Sequence, residues 1–108
     1  MAGLVLSVNV GAPREIEWLG RCASTSIWKA PVAGRVPAGR LNLAGDEQAD
    51  PRFHGGVDKA IYAYAREDYD WWAGELGGPV AAATFGENLT LTGIDVTCAV
   101  VGERWRVG

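Results

Sequence analysis

From its first strong signal the chain alternates apolar and polar positions with period two. Leu4, Leu6, Val8 and Val10 fall on one side of the segment 4–10, and Ser7 and Asn9 on the other. This is the signature of a strand with one apolar and one polar face. Gly11-Ala12-Pro13 turns the chain. Arg14 to Leu19 then alternates again, with Ile16 and Trp18 opposite Glu15 and Glu17. Gly20 ends that strand, and the Ser- and Thr-containing stretch Arg21–Trp28 predicts another. Pro31, Gly34, Pro37 and Gly39 punctuate an irregular region before Leu41-Asn42-Leu43 and the Gly45-Asp46 turn.

A helical period occurs once, from about Arg66 to Leu76. Glu67 and Asp68 lie in the first turn, where the helix dipole favours negative charge. Tyr69, Trp72, Ala73 and Leu76 share one face, and Gly77-Gly78-Pro79 stops the helix. Strands are predicted at Ala60–Tyr64, Leu89–Thr92, Val96–Val101 and Arg104–Val107. A single helix among many short strands, with no repeat and no linker, favours a β-rich barrel or sandwich over alternating βαβ units. The last strand opens just before Gly108, which leaves a sheet edge for something downstream to complete.

Composition narrows the class. The 108 residues suit one domain, and 48% hydrophobic with 21% charged residues excludes a disordered chain. No apolar run approaches the about 18 residues of a membrane-spanning helix, and the early Arg14, Glu15 and Glu17 do not read as a secretory signal. Cys22 and Cys98 are too few for a disulfide framework and lack metal-ligand spacing. They are expected to pack as small apolar residues in a reduced, cytoplasmic protein. A net charge of −3 argues against nucleic acid as a partner. Yet the stretch 18–45 carries Arg21, Lys29, Arg35 and Arg40 and no carboxylate. It is either a solvated basic face or a seat for a small anion.

Three clusters could carry chemistry. The stretch 46–59 has no useful hydrophobic period and is long enough for a functional loop. Within it, His54-Gly55-Gly56-Val57-Asp58-Lys59 offers paired glycines whose N–H groups could form an anion nest, a lysine charge and the chain's one histidine. The plainer alternative is a Gly-Gly turn. A metal site from His54 with Asp46, Asp50 or Asp58 is a weaker reading. In Phe85-Gly86-Glu87-Asn88 the polar pair either projects from a rim, where Asn88 suits a heterocycle edge, or caps a turn. Lys29, in Ile27-Trp28-Lys29-Ala30-Pro31-Val32, is either a ligand group or a solvated lysine. Among the tryptophans, Trp18, Trp72 and Trp105 fit core faces, leaving Trp28 and Trp71 as surface rings.

In this order the segments resemble one family. Val8-Asn9-Val10-Gly11, then Ile27–Val32, then Leu41–Asp50 are similar to the N-terminal half of a MOSC domain. The run His54–Tyr64 is the most specific match, and Tyr69-Asp70-Trp71-Trp72 with Phe85–Thr90 completes it. The resemblance covers essentially residues 1–108 and is closest to the YiiM-like, hydroxylaminopurine-resistance branch. It implies a mainly β, barrel-like MOSC domain with one or two helices that binds a molybdenum cofactor, a pterin dithiolene carrying a phosphate. It also carries a family-level association with pyridoxal phosphate. Relatives reduce small N-hydroxylated compounds with electrons from a redox partner protein, or serve as sulfur carriers. A non-catalytic module binding a pterin phosphate or another anion is the alternative. Carried over to this chain, Lys29, His54, Gly55, Gly56, Asp58, Lys59, Gly86, Glu87 and Asn88 are the cofactor-binding positions. The family's metal-ligating cysteine belongs to a Pro-Cys motif beyond the strand that Arg104–Val107 matches. The domain is therefore expected to be C-terminally incomplete, with neither Cys22 nor Cys98 inheriting that role.

Overall fold

A computed structural model describes residues 2–47, 56 and 60–108, with Trp18 described in its backbone alone. The expected mainly β fold is present. The long strand β1 (Ala2–Val10) pairs antiparallel with β6 (Leu89–Thr92) along its middle and with β4 (Ala30–Val32) at its C-terminal end. β6 pairs in parallel with β5 (Ala63–Ala65), and β7 (Arg106–Val107) adds in parallel to the first residues of β1. The result is a five-stranded mixed sheet whose main path runs β4-β1-β6-β5. It is open rather than closed into a barrel among the described residues. A separate hairpin joins β2 (Arg14–Trp18) to β3 (Arg21–Thr25). Its two-residue turn puts Leu19 and Gly20 at positive φ, as the twist of a tight hairpin demands.

The helix α1 spans Arg66–Leu76, as its local signals predict. Glu67 and Asp68 sit in its first turn, and Gly77 ends it in the left-handed conformation while donating its N–H to Ala73. Only part of the expected stripe is covered. Tyr69 is buried and Trp72 and Ala73 are half-buried, but Leu76 is exposed. No helix among the described residues is long and apolar enough to cross a membrane.

Two local expectations are corrected, and the buried face of β1 is decided. In β1 the polar face is the inward one: Asn9 is fully buried, whereas Leu4 and Leu6 are about half exposed. A bulge between Val5 and Ser7 leaves Leu6 without a partner across from β6. The predicted strand at Val96–Val101 is instead a 3-10 turn over Val96–Cys98, because the Asp95 side chain accepts a bond from the Cys98 N–H at 3.3 Å. Both cysteines are exposed rather than packed.

Among the described residues the buried apolar groups are Leu43, Ala65, Tyr69, Ala83, Leu91 and Ile94. An equal number of buried polar residues, Asn9, Ser26, Asp46, Glu87, Asn88 and Thr90, lies among them. Because so little of the core is apolar, each apolar member counts. Leu91→Ala is expected to cost about 2–5 kcal/mol, read as a lower urea midpoint at unchanged slope.

Candidate functional site

The buried polar residues form a network built from four segments far apart in sequence. At its centre the Asp46 carboxylate accepts from the Lys29 ammonium at 2.6 Å and from the Gly11 N–H at 2.9 Å through one oxygen. Its other oxygen accepts from the Asn88 side-chain amide at 2.9 Å. The Lys29 side chain is only 8% exposed and that of Asp46 not at all, so this is a buried ion pair. Gly11 is required there. A Cβ on it would lie 2.6 Å from the Trp28 carbonyl oxygen, so only glycine lets the two backbones approach.

Asn88 carries the network into the sheet. Its amide also donates to the Asn9 carbonyl at 3.2 Å, and its side-chain oxygen accepts from the Tyr62 N–H at 3.0 Å. Asn9 in turn donates to the Glu87 carbonyl and to the Thr90 hydroxyl, both at 3.1 Å, and accepts from Ser7 at 2.6 Å. The Glu87 side chain turns the other way. Its Oε2 accepts from the Tyr69 hydroxyl, from Thr90 Oγ1 at 2.9 Å and from the Ala83 N–H at 3.4 Å. Burial, reinforced by the hydrogen bond to Glu87, pushes the Tyr69 hydroxyl well above its ordinary range, so it remains a proton donor.

Two buried atoms have no hydrogen-bond partner among the described residues, Glu87 Oε1 and Ser26 Oγ. They belong to segments that touch. A Cβ on Gly86, which has a φ of 77°, would lie 2.7 Å from Ile27 Cγ1. An orphaned buried polar atom costs about 1–3 kcal/mol, so each marks a position where a further polar group would be compensated.

Of the residues expected to bind a cofactor, Lys29 and Asn88 meet through Asp46, and Glu87 joins them through Asn9. Gly86 forms the turn beside them. Gly56 is exposed at a φ of 91°, while His54, Gly55, Asp58 and Lys59 lie outside the described residues. Asp50, considered with His54 for a metal, also lies outside them, and Asp46 is held by Lys29. No group of three or more metal-ligating side chains is assembled among the described residues. Sequence reasoning missed Asn9, Ser26, Tyr69 and Thr90 as members of the site. The signal for Asn9 was present, a strand with a polar row that faces inward.

The Tyr69–Glu87 contact has a pH signature. Because the native hydroxyl titrates above the ordinary 10.0, the folded protein keeps a proton that the unfolded chain releases. The resulting stability is complete below about pH 10 and is lost as the pH rises further. Tyr69→Phe is expected to lower stability by about 1–3 kcal/mol at pH 8. The gap to the wild type should narrow above pH 10 in urea titrations. A gap that stays constant would argue against this donor role.

Comparison with known proteins places the chain in a family. The MOSC domain profile matches residues 50–108, more than half of the chain. The uncharacterized protein YflK of Bacillus subtilis is 41% identical over 103 residues, covering 95% of this chain and 47% of YflK. Protein YiiM of Escherichia coli is 38% identical over 87 residues, covering 78% of this chain and 39% of YiiM. The chain thus spans less than half the length of these curated relatives. The crystal structure of YiiM from Geobacillus stearothermophilus superposes with a TM-score of 0.58 at 37% identity, over 85% of this chain and 39% of that one. With the matching profile, the shared sequence and the shared fold, the chain belongs to the MOSC domain family.

Proposed function

We propose that this chain holds a molybdenum cofactor at the junction of the 26–29 and 86–88 segments, in the service of reducing small N-hydroxylated compounds such as hydroxylaminopurines. The observation that carries the reading is the pair of orphaned buried atoms, Ser26 Oγ and Glu87 Oε1, on segments that pack against each other. Their chemistry fits the group. A hydroxyl can donate to a phosphate oxygen, and a carboxylate oxygen can accept from a pterin N–H. The Lys29 ammonium donates one hydrogen bond to Asp46 and keeps two further N–H groups that suit an anion.

When bound, such a group supplies two-electron removal of oxygen from an N–OH substrate, yielding amine and water with two protons. The chain's own residues supply position. Asp46 and Asn88 fix Lys29 and the 86–88 turn relative to β1. Tyr69, held protonated, and Thr90 hold the Glu87 carboxylate by one oxygen and leave the other available. A redox protein would deliver the electrons.

A second reading, a non-catalytic pterin-phosphate module, is favoured by the position of the thiols. Cys22 in the hairpin and Cys98 in the 3-10 turn are exposed and take no part in the network.

The test is expression in a host that makes molybdopterin, followed by molybdenum analysis and pterin fluorescence after oxidation. Ser26→Ala removes an oxygen that no described protein group uses, so its stability should be unchanged or slightly raised. Its retained pterin is expected to fall about fivefold, as the loss of one hydrogen bond implies. A folded wild-type chain that retains neither pterin nor molybdenum would sink both readings. Retained pterin without reduction of a hydroxylamino base, in this chain and in one extended to its relatives' length, would select the second.

A further inference from the structure

A cavity of about 490 Å³ opens beside β5, α1 and the 3-10 turn, within the size range of ligand sites. Five aromatic side chains line it, Tyr62, Tyr64, Trp71, Trp72 and Trp105. Tyr62 and Trp71 are 47% and 58% exposed, so the cavity is reached from solvent. Two of the three indole N–H groups in its wall are already used. Trp72 donates to the Tyr64 hydroxyl at 3.1 Å and Trp105 to Glu103 at 2.8 Å. What the wall offers a visitor is ring surface, whose π faces are negative, beside polar groups of Tyr62, Asp68 and Thr97.

The charge of the wall points the same way. Among the described residues lining the cavity, Asp68 is the one that is ionised, and none of them is a cation. Thr97 donates to one oxygen of Asp68 at 3.3 Å. The nearby Arg66 pairs instead with Asp70, at 3.4 Å. An anion would meet Asp68 with no cation to offset it. A neutral planar ring could stack but would cover the carboxylate without compensating it. A bare ammonium ion would lose its strong hydration. A cation with an apolar shell satisfies rings and carboxylate together.

We propose that this cavity binds a small alkylated ammonium cation, seated among the tyrosine and tryptophan rings with its charge toward Asp68. Neither Lys29 nor Ser26 lines it, so its occupancy can be measured separately from cofactor retention. The experiment titrates tetramethylammonium chloride into the folded chain at constant ionic strength, with tryptophan fluorescence as the readout and sodium chloride as the control. A saturable change is expected with tetramethylammonium and none with sodium. tert-Butanol, a neutral ligand of similar shape, is expected to bind about tenfold more weakly. Asp68→Asn, which keeps the side-chain shape, and Trp71→Ala, at an exposed position, are each expected to weaken binding about tenfold. Trp28→Ala should leave it unchanged, because that ring lies outside the cavity under the Arg14 guanidinium at 4.3 Å. Absence of a saturable signal, equal binding of tert-butanol, or full affinity in Asp68→Asn would overturn the proposal.

Discussion

The carboxylate of Asp46 is the constraint on which the rest of the arrangement depends. It is buried, and it is compensated by Lys29, the Gly11 N–H and the Asn88 amide together. A carboxylate taken out of water costs several kcal/mol and is tolerated only where charge and hydrogen bonds meet it. Three stretches of chain, at the end of β1, before β4 and before β6, must therefore arrive at one point. Removing a partner does more than lose a bond, because it leaves a buried charge unmatched, at a cost of about 3–5 kcal/mol. The pair is thus better understood as fixing the position of Lys29 than as adding net stability.

The same logic extends through Asn9, Thr90 and Glu87. Each is buried, and Asn9 ties β1 across the sheet to Glu87 and Thr90. Among the described residues buried polar groups equal buried apolar ones in number, and directional bonds specify their geometry more sharply than area burial does. Gly11 and Gly86 belong to this economy of space. Each lets its backbone press against the 27–28 segment at a distance that a side chain would forbid. The two orphaned oxygens stand out because nearly everything around them is satisfied.

How much of this was legible in the sequence follows the range of the interactions. The helix bounds Arg66 and Leu76 are set by neighbours, acidic residues in the first turn and glycine after the last, and could be read directly. The alternation in β1 revealed two faces but not which one is buried. That choice rests on Thr90 and Glu87, about eighty residues away. The apolar run at Val96 misled for a local reason, since one Asp95 hydrogen bond closes a turn that hydropathy does not register. In the site, Lys29, Glu87 and Asn88 were recognisable through the family's motifs. Asp46 entered only as a weak metal ligand, and its actual role needs Lys29 seventeen residues earlier and Asn88 forty-two residues later.

Tyr62 shows how two concave regions can be built from one short strand entry. Its backbone is held on both sides by the 88–89 segment. The Tyr62 N–H donates to Asn88 Oδ1 at 3.0 Å, and the Tyr62 carbonyl accepts from the Asn88 and Leu89 N–H groups at 2.8 and 3.1 Å. Its ring, by contrast, is half exposed and stands in the aromatic wall. Two residues on, Tyr64 packs against Tyr69 and Phe85 with ring centroids 5.3 and 4.8 Å apart, and Tyr69 reaches the Glu87 carboxylate through its hydroxyl. The aromatic wall therefore takes its position from the polar network rather than from its own contacts alone. A backbone hydrogen bond fixes where Tyr62 stands while leaving its ring free to meet solvent or a ligand. Order at the buried end and access at the open end are compatible because they fall on different atoms of the same residue.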